Sequence, residues 1–380
     1  MDSVFLKSTP SYDQQTVEDA TEYILSNCFD GTKLTGKSRV VLKVNLLMKS
    51  HPDNAVTTHP AVVSGVIKYL KSKKVKEIII ADSSAGLFTA SRLKGIYDGC
   101  GMTALAQDGV SLNFDLSSVE CISPQNHRYN ILRVVKEADI VIGIAKLKTH
   151  MMTGISATVK NYFGVIPGLE KAEFHSRFPN QTDFCGMICD LYECLNPDIS
   201  LLDAVMGMEG NGPSGGSPRN YGFIAGGKNG YCVDRVACHL IGVAPDKNFV
   251  LKKGIALGVA PENIADVTVD GDIPLLDSPL AGVSLPETYS AGLAVVLPRF
   301  LQPLGNKILN RLITPTPVVR KKDCIGCARC AETCPQKVIT IKDKVAHINP
   351  KNCIRCYCCH EVCPEHAIDI KKTMLVKAVN

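Results

Sequence analysis

The chain has 380 residues, 45% of them apolar, and its 42 Lys and Arg against 37 Asp and Glu give a formal net charge of +5. This length suggests two or three domains, the apolar share is that of an ordinary globular protein, and no apolar run is long enough to span a membrane. Residues 1–10 lack the basic-then-apolar pattern of a secretory signal; with 17 cysteines, this points to thiols in a reducing compartment, and the expected location is cytoplasmic.

In chain order, residues 1–298 alternate short β-branched runs with helical stretches. Arg39 to Val44, Glu77 to Ala81, Asp139 to Ile144 and Ile199 to Asp203 read as buried strands, continuous and bounded by polar residues or Gly. Helical spacing covers Thr16 to Asn27, Pro60 to Lys71, Ser91 to Tyr97, Ser156 to Phe163, Phe184 to Leu195 and Val233 to Ile241. Pro60 suits a first helical position, where its missing N–H would have had no partner. The alternation predicts an α/β domain with a mainly parallel sheet and helices on both faces.

Ligands of such sheets collect beyond the carboxyl ends of the strands, so the residues after each strand are pocket candidates. These are Lys43, Asn45, Thr57, Thr58 and His59, then Asp82, Ser83 and Ser84. Lys146, Lys148, Thr149 and His150 follow the third strand, ahead of a helix carrying Lys160 and Asn161. A Gly-rich loop from Gly207 to Gly216, holding Glu209 and Asn211, follows the fourth. A lysine at a strand end is commonly just solvated. Convergence of Lys43, Lys146, Lys148 and Lys160 would make one electropositive hollow for an anion, with Asn45 and Asn161 beside it. The N-terminal dipole of the helix after Thr153 would add to that field. His59 and His150 are candidate proton-transfer groups or metal ligands, with Lys148 a third candidate catalytic residue; the plainer reading has each His hydrogen-bonding a loop. The Gly-rich loop has no G-K-[ST] ending, and no G-x-G-x-x-G follows the first strand, so neither nucleotide fingerprint is present. Cys185 and Cys189 share a helix face with Cys194 opposite, which reads as core packing.

Residues 299–317 read as a linker. Leu301, Leu304, Ile308, Leu309 and Leu312 space an amphipathic helix, a docking element or alternatively a membrane-surface one, and TPTP (Thr314 to Pro317) closes it. Residues 318–372 then repeat one pattern. Cys324, Cys327, Cys330 and Cys334 are followed by Pro335; Cys353, Cys356, Cys359 and Cys363 are followed by Pro364. Each copy is C-x₂-C-x₂-C-x₃-C-P, the run by which bacterial-type ferredoxins hold [4Fe–4S] clusters, with the fourth Cys serving the partner cluster. That rule assigns Cys324, Cys327, Cys330 and Cys363 to one cluster and Cys334, Cys353, Cys356 and Cys359 to the other. A strand signal follows each copy, at Val338 to Ile341 and Ala367 to Ile370. Paired Cys₄ zinc sites are the rival reading, but zinc knuckles lack this triple spacing and closing Pro. Gly326 in the first copy stands where Arg355 stands in the second, and Cys358 is a spare thiol between two ligands. Residues 318–372 hold 11 basic and 6 acidic side chains, so they carry the whole excess of +5. Two oxidised cubanes with their thiolates add roughly four negative charges, which explains this bias without nucleic acid. Residues 373–380 read as a tail.

VLKVNLL (Val41 to Leu47), AVTTHPAVV (Ala55 to Val63), ADSSAG (Ala81 to Gly86), Lys146 to His175 and Asp203 to Arg219 resemble, in order, the blocks of the family catalogued as domain of unknown function 362. Its members are often fused to a two-cluster ferredoxin module. The resemblance implies [4Fe–4S] electron transfer but supplies no reaction. The expected function is therefore iron–sulfur electron transfer with a redox partner protein, serving a reaction on an anionic small molecule at the α/β domain. Two alternatives stand beside it: a carrier whose α/β part merely docks, and a scaffold or maturation factor for another metalloprotein.

Overall fold

The computed structural model describes residues 2–29, 34–286 and 314–371, so most of the linker expected at 299–317 and all of the tail at 373–380 lie outside the described residues. The chain begins with β1 (Ser3–Ser8), α1 (Gln14–Cys28), β2 (Arg39–Lys43), α2 (Pro60–Ser72), β3 (Glu77–Ala81), α3 (Ala90–Gly99) and β4 (Val110–Leu112). The hairpin β5 (Ser118–Ile122) and β6 (Arg128–Leu132) leads through α4 (Arg133–Lys136) into β7 (Ile140–His150). Next come β8 (Gly154–Ser156), α5 (Thr158–Asn161), α6 (Glu170–Arg177), α7 (Gln181–Leu195), β9 (Ile199–Glu209), β10 (Ser217–Gly227), α8 (Gly230–Leu240), α9 (Phe249–Ala256) and β11 (Thr268–Gly271).

The main sheet runs in the order β11-β1-β10-β9-β7-β2-β3-β4, with β8 paired to β7. From β9 to β4 every neighbour is parallel, whereas β10 is antiparallel to both β9 and β1. Period-two alternation sends successive residues to opposite faces. Val40, Leu42, Ile78 and Ile80 pack under α1, α2 and α3, while Val41, Ile79 and Ala81 join the core beneath α5 and α7. A third cluster packs α8 on β9 and β10 through Leu202, Phe223, Val233 and Val236. The sheet is mainly parallel with helices on both faces, as the strand–helix alternation predicts.

Local chemistry explains the helix starts. Asp13 accepts from Thr16 N ahead of α1, and Asn180 caps α7, which ends on Asn196 in the left-handed region (φ 41°). His59 caps α2 with Nδ1, accepting from Ala61 N, and Pro60 follows in the first turn.

Several expectations change. The third and fourth strands are longer than their apolar runs: β7 continues through Lys146, Lys148 and His150, and β9 reaches Glu209. Lysines read as loop residues because their charge hides the strand signal, although each head is buried and hydrogen-bonded. The Gly-rich loop expected from Gly207 to Gly216 starts inside β9 and links it to antiparallel β10. The helix expected from Ser156 to Phe163 is a short turn, Thr158–Asn161, followed by a 3₁₀ turn. Asp234 occupies its N-terminus, accepting from Thr158 N at 2.7 Å and Val159 N at 3.3 Å, so no helix dipole is left for an anion. Finally, Cys121 of β5 and Cys194 of α7 form a disulfide across 73 residues. The reading of every cysteine as a thiol or core residue fails at this pair because spatial adjacency over that span leaves no mark in spacing. Cys185 and Cys189 lie in the core as expected.

After the undescribed stretch, β12 (Thr316–Val319), α10 (Arg329–Thr333), β13 (Ile339–Lys342), β14 (Val345–Ile348), α11 (Cys358–Glu361) and β15 (Ile368–Lys371) build a small module. It pairs β12 with β15 and β13 with β14, both antiparallel.

Candidate functional site

The repeat folds its eight cysteines around two separate chambers. Cys324, Cys327, Cys330 and Cys363 line one, with Ile341 and Ala346, around about 360 Å³ of space between atoms. Cys334, Cys353, Cys356 and Cys359 line the other, with Ile339 and Ile348, around about 340 Å³. Each chamber thus takes three cysteines from one copy and the fourth from the other.

The loops wrap in this way because equivalent positions adopt left-handed backbone. Gly326 (φ 68°) and Ala328 (φ 64°) in the first copy match Arg355 (φ 58°) and Tyr357 (φ 62°) in the second. A Cβ at Gly326 would stand 2.7 Å from Lys344 O, so Gly is needed there. At the equivalent Arg355 the side chain donates to Thr314 O at 2.5 Å, and Tyr357 OH donates to Pro315 O at 3.0 Å. These bonds offset the strain of two non-Gly residues at positive φ. Main-chain N–H groups point at sulfur: Ala346 N to Cys324 Sγ at 3.4 Å, Arg355 N to Cys353 Sγ at 3.4 Å, and Ala367 N to Cys363 Sγ at 3.2 Å. Such bonds stabilise thiolate charge and tune bound clusters. The sulfurs border voids instead of converging on a point; among the described residues no group of three or more His, Cys, Asp or Glu is arranged for a single metal ion. An all-thiol donor set around a small apolar void fits an iron–sulfur cluster.

The module docks on the carboxyl-end side of the sheet through specific bonds. His150 Nε2 lies 3.1 Å from Glu361 Oε1. Because His150 Nδ1 accepts from Met152 N and Thr153 N, its proton sits on Nε2 and is donated to the carboxylate. Burial, and next the nearby Lys160, push His150 down to about 4, so the ring is neutral at pH 7. Burial raises the Glu361 carboxyl, but His150 and Lys160 outweigh it and hold the group near 2. Arg92 pairs with Glu332 at 3.0 Å, Gln336 donates to Ser176, and His360 Nε2 lies 3.0 Å from Asn211 O.

Between the two bodies lies a cavity of about 70 Å³, bordered by Ser83, Lys160, Lys171 and His175 on the sheet side and by Thr333, Cys358 and Glu361 on the module side. Cys358 also borders the second cysteine chamber. Of the pocket candidates singled out in the sequence, Asn45, Asp82, Ser83, Lys160 and Asn161 reach this cavity. Lys43, Lys146 and Lys148 do not: they lie beneath it with their heads engaged. Lys43 Nζ meets Asp82 Oδ1 at 2.8 Å, Val44 O at 2.6 Å and Asn161 Oδ1 at 3.1 Å. Lys146 Nζ meets Asp203 Oδ2 at 2.6 Å and Tyr12 OH at 2.7 Å. Lys148 Nζ donates to Asn45 Oδ1 at 2.9 Å and Val56 O at 2.8 Å, with no carboxylate. Burial, then Lys160, push Lys148 down to about 7. His59 stacks on Tyr12 at 3.5 Å and donates its backbone N–H to Asp203, in a different network from that of His150. Lys171 and His175 were missed. Their i, i+4 spacing on α6 puts them on one face, a signal that was present in the sequence.

These features define an α/β protein carrying a ferredoxin-type module. Residues 40–239 match the family model described as domain of unknown function (DUF362), and the chain belongs to that family. Residues 323–367 match the 4Fe-4S dicluster domain. A thylakoid-associated protein of Synechocystis sp. is 33% identical over 215 residues, 54% of this chain and 64% of that one; the match therefore spans less than two thirds of that relative's length. Among solved structures, the lactate racemase apoprotein of Thermoanaerobacterium thermosaccharolyticum is 18% identical, covering 60% of this chain and 54% of that one, with a TM-score of 0.39. A structural-genomics target from Thermotoga maritima is 13% identical, covering 59% and 57%, with a TM-score of 0.36. No helix among the described residues is long and apolar enough to cross a membrane.

Proposed function

We propose that this protein is an iron–sulfur electron-transfer protein with two [4Fe–4S] clusters, serving a redox reaction on an anionic small molecule in the cavity between its two bodies and exchanging electrons with a redox partner protein. The observation that carries this reading is the crossed placement of four cysteines around each of two chambers. Cys324, Cys327, Cys330 and Cys363 would hold one cluster, and Cys334, Cys353, Cys356 and Cys359 the other. When bound, such clusters supply one-electron chemistry.

The chain's own residues do the rest. Apolar side chains such as Ile339, Ile341 and Ala346 line the chambers, and the N–H groups aimed at Cys324, Cys353 and Cys363 offset the negative charge of the thiolates. Cys358, bordering both a chamber and the cavity, puts the reaction space within a side chain's reach of the second cysteine set. His150 holds Glu361 and so fixes α11 against the sheet. Lys160 and Lys171 give the cavity its cationic side.

The deciding experiment is an iron and acid-labile sulfide count on anaerobically purified protein, with electron paramagnetic resonance of the reduced sample. About eight iron and eight sulfide per chain, with signals from two interacting clusters, is the expected result. About four iron would overturn the two-cluster reading. Clusters that move spontaneously to an apo-acceptor would instead favour a scaffold role.

A further inference from the structure

A second cavity adjoins the first. It is a cleft of about 250 Å³ bordered by Lys49, Ser91, Arg92 and Arg329, and it shares Ala85, Gly86, Thr333 and Val362 with the inner cavity. The shared residues form a throat. Lys49 and Ser91 are exposed, whereas Ser83, Asn161 and His175 of the inner cavity are buried, so the cleft is the more exposed of the two spaces.

The charges run one way along this path. Among the described residues no Asp or Glu borders the outer cleft, which carries three cationic side chains; Arg92 shares its charge with Glu332 at the edge. Of the two carboxylates of the inner cavity, Asp82 is neutralised by Lys43, while Glu361 accepts from the neutral His150 and keeps its charge, which faces Lys160. Lys171 donates to Ser83 O at 2.7 Å, Ser83 Oγ at 2.8 Å and Ser84 O at 3.3 Å, all neutral acceptors; burial pushes it down to about 7 against the pull of Asp82, so an arriving anion would complete its protonation. The Lys160 head stands 5.9 Å from the Phe163 ring centroid. Two buried polar atoms along the path, apart from carboxylate oxygens held in ion pairs, have no hydrogen-bond partner among the described residues. They are His175 Nδ1, on a side chain 4% exposed, and Thr333 Oγ1, 6% exposed and placed at the throat. A buried polar atom left unpaired is costly, and atoms of this kind call for a polar ligand.

We propose that cleft and cavity form one binding site for an elongated oxyanion charged at both ends. A small anionic headgroup lies beside Lys160, Lys171 and His175, Thr333 meets the middle of the molecule, and a second phosphate or carboxylate sits among Lys49, Arg92 and Arg329. The assignment of redox chemistry to this site rests on the function proposed above; the binding does not.

The test is isothermal titration of full-length, anaerobically purified protein at fixed salt with inorganic phosphate and inorganic triphosphate. Triphosphate, which can span the throat, is expected to bind at least about tenfold tighter than phosphate. Lys160→Met should weaken both probes about tenfold, and Lys171→Met serves as a second inner variant. Lys49→Glu, on the exposed rim, should weaken triphosphate about tenfold and leave phosphate within about twofold. Equal affinity for the two probes, or a Lys49→Glu change that falls on both alike or on neither, overturns the two-ended site. Iron is counted on the same samples: full iron without binding sinks this inference alone, and low iron with binding intact sinks the cluster reading alone.

Discussion

Replacing Asp203 by Asn removes the carboxylate that compensates Lys146. Both side chains are fully buried, with Lys146 Nζ and Asp203 Oδ2 2.6 Å apart. Tyr12 OH donates to Asp203 Oδ1 at 2.9 Å, and His59 N to Oδ2 at 2.9 Å. In the variant Lys146 either keeps its proton as a buried, uncompensated charge or gives it up. Breaking a buried pair in the first way costs about 3–5 kcal/mol. Neutralising a lysine at pH 7 from its ordinary pKa, at about 1.4 kcal/mol per unit, costs roughly 4–5 kcal/mol. The two routes agree, and the expected fall in melting temperature is roughly 6–20 °C. A sign follows for pH. If Lys146 is neutral in the folded variant, the unfolded chain binds the extra proton at pH 7 and loses it towards pH 10.4, so stability rises with pH and the deficit shrinks. Urea unfolding of Asp203→Asn and wild type at pH 7 and pH 9.5 measures both quantities. Adding Lys146→Met should recover more than about 1 kcal/mol, since it removes the stranded charge. A loss below about 1 kcal/mol in the single variant would refute the account of this pair.

Lys148, held near pH 7 by burial and then by Lys160, binds its proton more weakly folded than unfolded. It therefore makes wild-type stability rise as pH climbs from about 7 towards 10.4, and Lys148→Met should flatten that slope; parallel profiles in urea unfolding would contradict the assignment. Cys363→Ala is expected to remove iron from the chamber of Cys324, Cys327 and Cys330, and Cys334→Ala from the chamber of Cys353, Cys356 and Cys359. Each loss should be about four iron, read by chemical analysis, with a different paramagnetic signal surviving in each variant. If both variants lost the same signal, the crossing would be wrong. His150→Phe removes a buried charge-assisted bond worth about 1.5–3 kcal/mol, so amide exchange over residues 357–371 should accelerate roughly 10- to 150-fold; unchanged exchange would show that the clasp contributes nothing.

The sequence carried the α/β class, five of the helix positions and the cysteine pattern because each has a local signature: period two, period 3.6, or fixed ligand spacing. The strands Arg39–Lys43 and Glu77–Ala81 were legible to within a residue for this reason. What was lost was charge buried inside regular structure. Lys146 and Lys148 sit within β7, and their partners Asp203, Tyr12, Asn45 and Val56 come from distant segments, so no local rule marks them as buried. Antiparallel β10 was hidden by the polar start of its run, Ser217 to Asn220. The cavity was half legible. Asn45, Asp82, Ser83, Lys160 and Asn161 are legible as pocket residues, but the far wall belongs to the cysteine module, and nothing in a one-dimensional reading predicts that Thr333, Cys358 and Glu361 face α6.

The exchange of fourth cysteines between the two copies has an assembly consequence. A peptide with one copy owns three cysteines placed for one chamber and a fourth placed for a neighbour's, so it cannot close a chamber by itself. Two separate copies could do so only by meeting, at a rate set by their concentration. Joining them in one chain makes that meeting intramolecular and independent of protein concentration. It also makes the two chambers mutually dependent, because a chain that misplaces one copy leaves both incomplete.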